Sequence, residues 1–212
     1  MSYKRYFSKA CYILPFILLA IAAFPAKSQS YTSVNYNMSF PVSLAGDYIK
    51  DPGFQGLNIE FGYYLTDHFS LGIRAGWHSF YEERSAQEYT RENVTLYGKQ
   101  FRYIDSYPVM ISTRYTFGMV DDTEAALVTP YAGLGLGGYS FIRRTDMGIY
   151  SFSDDKTWHF GLQPEAGVLI SLFRKAAINI GLRYNQMFKN SDNGSNGYLG
   201  VQAGLQLYPG RM

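Results

Sequence analysis

From residue 34 onward the chain alternates. Val34, Tyr36, Met38, Phe40, Val42 and Leu44 are separated by Asn35, Asn37, Ser39, Pro41 and Ser43. The same two-residue period returns seven times, at Leu57–Leu65, Phe69–His78, Tyr107–Phe117, Val128–Tyr139, Trp158–Leu172, Ile178–Asn185 and Tyr198–Tyr208. A period of two places one set of side chains on each face of a strand, so eight half-apolar strands are predicted.

Two architectures share this pattern and are inside-out versions of each other. A soluble barrel or sandwich, such as a lipocalin-like binder, turns its apolar column inward, whereas a membrane barrel turns it toward lipid. The other column decides between them. It holds Gly, Asn, Ser, Gln and Tyr with only Glu60, Arg74, Arg114, Glu165 and Arg183 as charges, and the apolar column has none. A solvated surface carries many more charges. Glycines and amides beside a few opposite charges suit a narrow, filled interior. The expectation is an all-β fold, an eight-stranded antiparallel up-and-down transmembrane β-barrel, with those five residues forming a salt-bridge network in its lumen.

Connection lengths alternate as well. Ala45–Gln55, Glu82–Arg102, Arg143–Thr157 and Lys189–Gly197 are long, whereas Thr66–His68, Gly118–Leu127 and Phe173–Ala176 are shorter. Bacterial outer-membrane barrels place short turns on the periplasmic side and long loops outside. Both termini are then periplasmic.

The first 28 residues read differently. Lys4, Arg5 and Lys9 precede the apolar run Tyr12–Phe24, and Ala26-Lys27-Ser28 has the small residues of a cleavage site. The expectation is a signal peptide over 1–28 and a barrel over 29–212. Removing Lys4, Arg5, Lys9 and Lys27 reduces 19 bases to 15 against 17 acids, so the formal charge of +2 becomes −2 and a nucleic-acid partner loses its support. Cys11, the single cysteine, would leave with the leader, excluding disulfides and thiolate chemistry from the exported chain.

The hairpin Tyr63-Tyr64-Leu65-Thr66-Asp67-His68-Phe69-Ser70-Leu71-Gly72, the strand Pro130–Gly137 with glycine at every second position from Gly133, and the closing Gly204-Leu205-Gln206-Leu207-Tyr208 carry a family likeness. The chain resembles the small eight-stranded outer-membrane β-barrel proteins of Gram-negative bacteria, the group of the OmpA transmembrane domain, OmpX and the OmpW-like proteins. The resemblance implies residence in the outer membrane, contact with its lipid and lipopolysaccharide, and insertion by the barrel assembly machinery. Tyr208 is followed by Pro209-Gly210-Arg211-Met212 where such proteins usually end on an aromatic, which implies a weaker or displaced assembly signal.

Chemistry beyond the barrel is thinly supported. His78, with Ser79, Glu82 and Glu83 close behind, invites comparison with outer-membrane lipid A deacylases and acyltransferases, but His78 and His159 read as polar residues near the external rim. His68 reads as a turn residue. No His/Asp/Glu cluster has ligand spacing, and Asp192–Gly197 lacks the distal glutamate of a calcium loop, so neither metal nor cofactor is expected. Gly133, Gly135 and Gly137 lie inside a strand with no helix following, unlike a phosphate loop. The functional expectation is a non-enzymatic structural or interaction module, with contacts to extracellular protein or glycan made by loops such as that carrying Glu88, Tyr89, Arg91 and Tyr97. The alternatives are an uptake channel for small apolar molecules and a lipid-modifying enzyme.

Overall fold

The computed structural model describes residues 29–43, 48–91, 94–118, 128–153, 157–173, 175–189 and 194–209. The proposed leader 1–28, together with Leu44, Asp121, Asp122, Glu124, Asp192 and Asn193, lies outside these residues. The described chain is almost entirely strand: β1 Ser30–Ser43, β2 Gln55–Tyr64, β3 Phe69–Arg91, β4 Val94–Thr116, β5 Val128–Met147, β6 Tyr150–Ser153, β7 Thr157–Phe173, β8 Ala176–Met187 and β9 Asn196–Leu207.

Sequence neighbours pair antiparallel apart from β6 and β7, β5 pairing with both of them, and β1 pairs with β9 to close the sheet. Eight strands therefore form the wall, and β6 is a short addition to the end of β5. The stagger follows from the register. A row of partners starting at Ser33 passes through Glu60, Arg74, Met110, Gly137, Gly161, Met187 and Asn196 and returns to β1 at Ser43, ten residues higher. For eight strands this shear corresponds to a tilt of about 43°.

The alternation divides the wall as the chain pattern requires. Along β2, burial reads exposed and buried by turns over all ten residues. Ile73 is 63% exposed and Ile111 62%, whereas their neighbours Arg74 and Ser112 are each at 1%. An isoleucine left open in the middle of a strand is costly in water and favourable against acyl chains. Along β4 and Phe117 just past its end, the outward positions from Phe117 to Tyr107 carry no charge, and Asp105 is the first. At roughly 3.3 Å per residue and that tilt, the uncharged band is about 24 Å tall, the height of an outer-membrane hydrocarbon band.

The long-connection end differs from expectation. The stretch Glu82–Arg102 is no open loop. β3 continues to Arg91 and β4 begins at Val94, paired as far as Arg91↔Val94 with one irregularity between Arg84 and Gln87. Likewise Arg143–Thr157 contains the end of β5 and all of β6, joined by a tight turn in which Gly148 adopts φ 59°, where a side chain would be strained. The alternation fades there because both faces of the ribbon stand clear of the bilayer, so nothing requires one face to be apolar.

Candidate functional site: the lumen and its mouth

The five charges singled out from the inward column meet at one level of the barrel. Register accounts for the two nearest pairs. Glu60 lies opposite Arg74 across β2–β3, and Glu165 lies opposite Arg183 across β7–β8. Arg114 lies opposite Gly133, itself opposite Glu165, so the missing side chain gives the guanidinium room to cross toward the acid. At Gly133 an added Cβ would come within 2.8 Å of Glu165 Oε1.

Arg74 joins the two acids: Nε and Nη2 donate to Glu60 Oε2 at 2.9 and 2.8 Å, and Nη2 also donates to Glu165 Oε1 at 2.7 Å. Arg114 contacts the same pair at 3.0 and 3.4 Å. Arg183 donates from Nε and Nη2 to Glu165 Oε2 at 3.1 and 2.8 Å. Side chains outside the predicted five complete the layer. Tyr31 and Ser112 donate to Glu60 Oε1, while Gln163 and Gln206 accept from Arg74 Nη1 and Arg114 Nη1. The Arg114 guanidinium also lies 4.4 Å from the Tyr131 ring centre. Tyr31 precedes the first strong alternation, but it shares the odd parity of Asn35 and Asn37, the one sequence signal that could have placed it inside.

Apolar and aromatic layers cover the ions on both sides. Toward the short turns lie Tyr31, Tyr64, Tyr131, Leu169, Ala177 and Tyr208. Toward the long hairpins lie Phe80, Ile104, Met110, Tyr139, Phe141, Met187 and Tyr198, with Ile49 from the β1–β2 connection inserted among them at 0% exposure. Ile49 is held by its neighbours. The Tyr48 carbonyl accepts from Arg84 at 3.2 Å and Arg102 at 3.1 Å, and the Lys50 N–H donates to Glu82. A connection expected to be an external loop thus turns one residue into the mouth as a stopper.

The histidines are not at the rim. His78 and His159 are 0% and 2% exposed, on the inner face of the upper lumen. His78 Nδ1 is 3.0 Å from Ser39 Oγ, its ring packs against Tyr198, and Ser79 has the opposite parity and points away. His159 meets the Phe188 carbonyl at 3.1 Å, and His68 stacks on Tyr115 in the short turn. Among the described residues no group of three His, Cys, Asp or Glu is placed to hold a metal ion. The ribbon of β3 and β4 stands beyond this mouth. Beside it, Tyr97, Phe101, Met147, Ile149 and Tyr150 line an open cleft of about 430 Å³.

Comparison with known proteins agrees with this architecture. Residues 12–206 match the family model described as an outer membrane protein beta-barrel domain. Neisserial surface protein A (NspA) superposes with a TM-score of 0.56 at 20% identity, covering 84% of this chain and 96% of that one. The outer membrane protein OprG from Pseudomonas aeruginosa gives 0.50 at 15% identity, covering 85% and 95%. No curated protein matches the chain.

Proposed function

Because the chain belongs to the outer membrane protein β-barrel domain family, and so resides in the bacterial outer membrane, we propose that it acts there as a non-enzymatic interaction module. Its lumen is filled and its working surface is the ribbon outside. The observation that carries this reading is the contrast between the two ends of β3 and β4. Within the bilayer they enclose a charge cluster roofed by Ile49 and floored by tyrosines. Outside it they continue from Phe80↔Ile104 to Arg91↔Val94, roughly 35 Å at strand rise.

Beyond the pairing of Phe101–Ile104 with β5, that extension takes no part in the sheet that closes the barrel. β2 pairs with β3 only as far as Ser79, and β5 pairs with β4 only from Phe101. Among the described residues no strand pairs with the outer edge of β3 beyond Ser79 or of β4 before Phe101, and such edges are well suited to an added strand. Its base shows Tyr81 stacked near Phe101 and tilted against Tyr103, a surface for protein or glycan rather than for lipid tails. The buried Ser39–His78 pair supports a non-enzymatic reading, since both residues are covered by the upper layer and a lipid ester has no path to them.

Two measurements test the proposal. Purified protein in planar bilayers should give no stepwise conductance. A variant lacking 83–101, rejoined by a two-residue turn, should still fold in outer membranes yet lose whole-cell binding to immobilised host-surface protein or glycan. Binding unchanged by the deletion would sink the ribbon as the contact. The apolar cleft at the ribbon base favours a second reading, capture of small apolar molecules, which an environment-sensitive apolar dye would report by brightening on wild type and not on Ile149→Ser/Tyr150→Ser.

A further inference from the structure

The buried ions do not balance. Arg74, Arg114 and Arg183 are each 1% exposed, and a guanidinium stays charged inside a protein. Among the described residues only Glu60 and Glu165 oppose them, three positive groups to two negative ones. The next acid up, Glu82, is already engaged by Arg84 and the Lys50 N–H at the mouth. A surplus charge sealed between apolar layers needs a counter-charge.

The surplus has a location. Every guanidinium nitrogen of Arg74 and Arg114 has an acceptor, and Arg183 uses Nε and Nη2 on Glu165. Arg183 Nη1 is buried without one. Asn185, two residues further along β8 and on the same inward face, has a second spare donor. Its Oδ1 accepts from Gln163 Nε2 at 2.6 Å and Tyr139 at 3.3 Å, which fixes the amide and leaves Nδ2 unpartnered.

The wall is open at that place. Gly200 faces Arg183 across the β8–β9 ladder. A Cβ there would meet nothing closer than the Arg183 carbonyl at 3.6 Å and Asn185 Nδ2 at 3.8 Å, whereas at inward-facing Gly56, Gly62, Gly72, Gly133, Gly135 and Gly181 the nearest atom would be 2.5–3.1 Å away. The spare N–H of Asn185 borders this room, and the guanidinium with the spare nitrogen belongs to the residue facing Gly200 across the ladder. The unpartnered acceptors Gln202 Oε1 and Asn37 Oδ1, opposite each other on β9 and β1, are suited to a water accompanying an ion.

We propose that a single small monovalent anion of the halide class lies beside Gly200, bound by Arg183 Nη1 and Asn185 Nδ2, and that it completes the lumen network. The site rests on the filled-lumen reading above. Conductance tests that reading separately, so the two can fail independently.

The test is refolding of the full chain from urea into detergent with sodium bromide as the salt, followed by gel filtration into halide-free buffer, denaturation and ion chromatography. Wild type should release about one bromide per chain, as a sealed site with one surplus charge requires. Arg183→Met, which leaves two arginines to two glutamates, should release less than about a tenth of that. Gly200→Leu, which fills the space and keeps every charge, should also release little, and heat-shifted mobility in electrophoresis reports folding of each. In crystals grown from bromide, the anomalous peak should lie at Arg183. Release of no bromide by wild type, equal release by Arg183→Met, or a peak elsewhere would overturn the proposal. If neither variant folds, wild-type release and the position of the peak decide it.

Discussion

Arg183 gives two of its N–H groups to one oxygen of Glu165 directly across the β7–β8 ladder. Glu165 also receives Arg74 and Arg114, so this carboxylate is shared by all three buried arginines. Glu165→Gln should therefore destabilise the barrel more than Arg183→Met, because it leaves three cations with one acid. Urea midpoints of the heat-shifted band would rank the two variants, and the reverse order would contradict the shared-acid arrangement.

Arg114→Ala strands Glu60 with one fewer cation and opens space beside Tyr131. Breaking one partner of a buried network typically costs about 3–5 kcal/mol. The same variant should show no new conductance in planar bilayers, because the layers on either side of the ions stay in place. A large open-channel current would mean that these charges gate the lumen.

Side-chain direction can be tested on one strand. Ile111 is 62% exposed at mid-wall, and Ile111→Arg should cost about 2–4 kcal/mol as a charge at the bilayer midplane. Tyr97→Arg, outside the bilayer on the same strand, should change stability by less than about 0.5 kcal/mol. Equal effects at the two sites would place the membrane wrongly.

The stopper should loosen in acid. Burial pushes the Glu82 carboxyl up, but the Lys50 N–H and the Arg84 guanidinium outweigh it and hold the group below the usual carboxylate range. With a depressed folded value, the anchor is at full strength above the ordinary glutamate pKa of about 4.3 and is lost as pH falls through the depressed value. Protection of the Ile49 and Lys50 amides in hydrogen exchange should therefore fall below about pH 4, after correction for intrinsic rates. Glu82→Gln should show low protection at pH 7 and no further acid step.

Most of the wall was legible because lipid is a uniform solvent. Mid-wall outward residues such as Ile73 and its cross-strand partner Ile111 face acyl chains whatever their neighbours are, so the parity of the bilayer-spanning positions could be read locally. The inward charges were legible for the same reason, since Arg74 and Glu165 could not belong to the lipid face. The ends were not. Above Ser79 and Asp105 both faces leave the bilayer, the constraint on parity ends, and a long paired ribbon reads as a loop. Ile49 sits in a connection with no period, and its insertion depends on Arg84, Arg102 and Glu82, which come from other strands.

The sequence by itself determined the number of wall strands, the parity of their bilayer-spanning parts and which charges avoid the lipid face, because those depend only on which solvent each face meets. Tertiary structure alone decided which arginine meets which glutamate, that Arg183 retains a spare nitrogen, and that Gly200 leaves room across the ladder beside Asn185. Those facts depend on the ten-residue stagger at which the sheet closes. Alternation along a strand is the same for every stagger, whereas the neighbours across the lumen change with it.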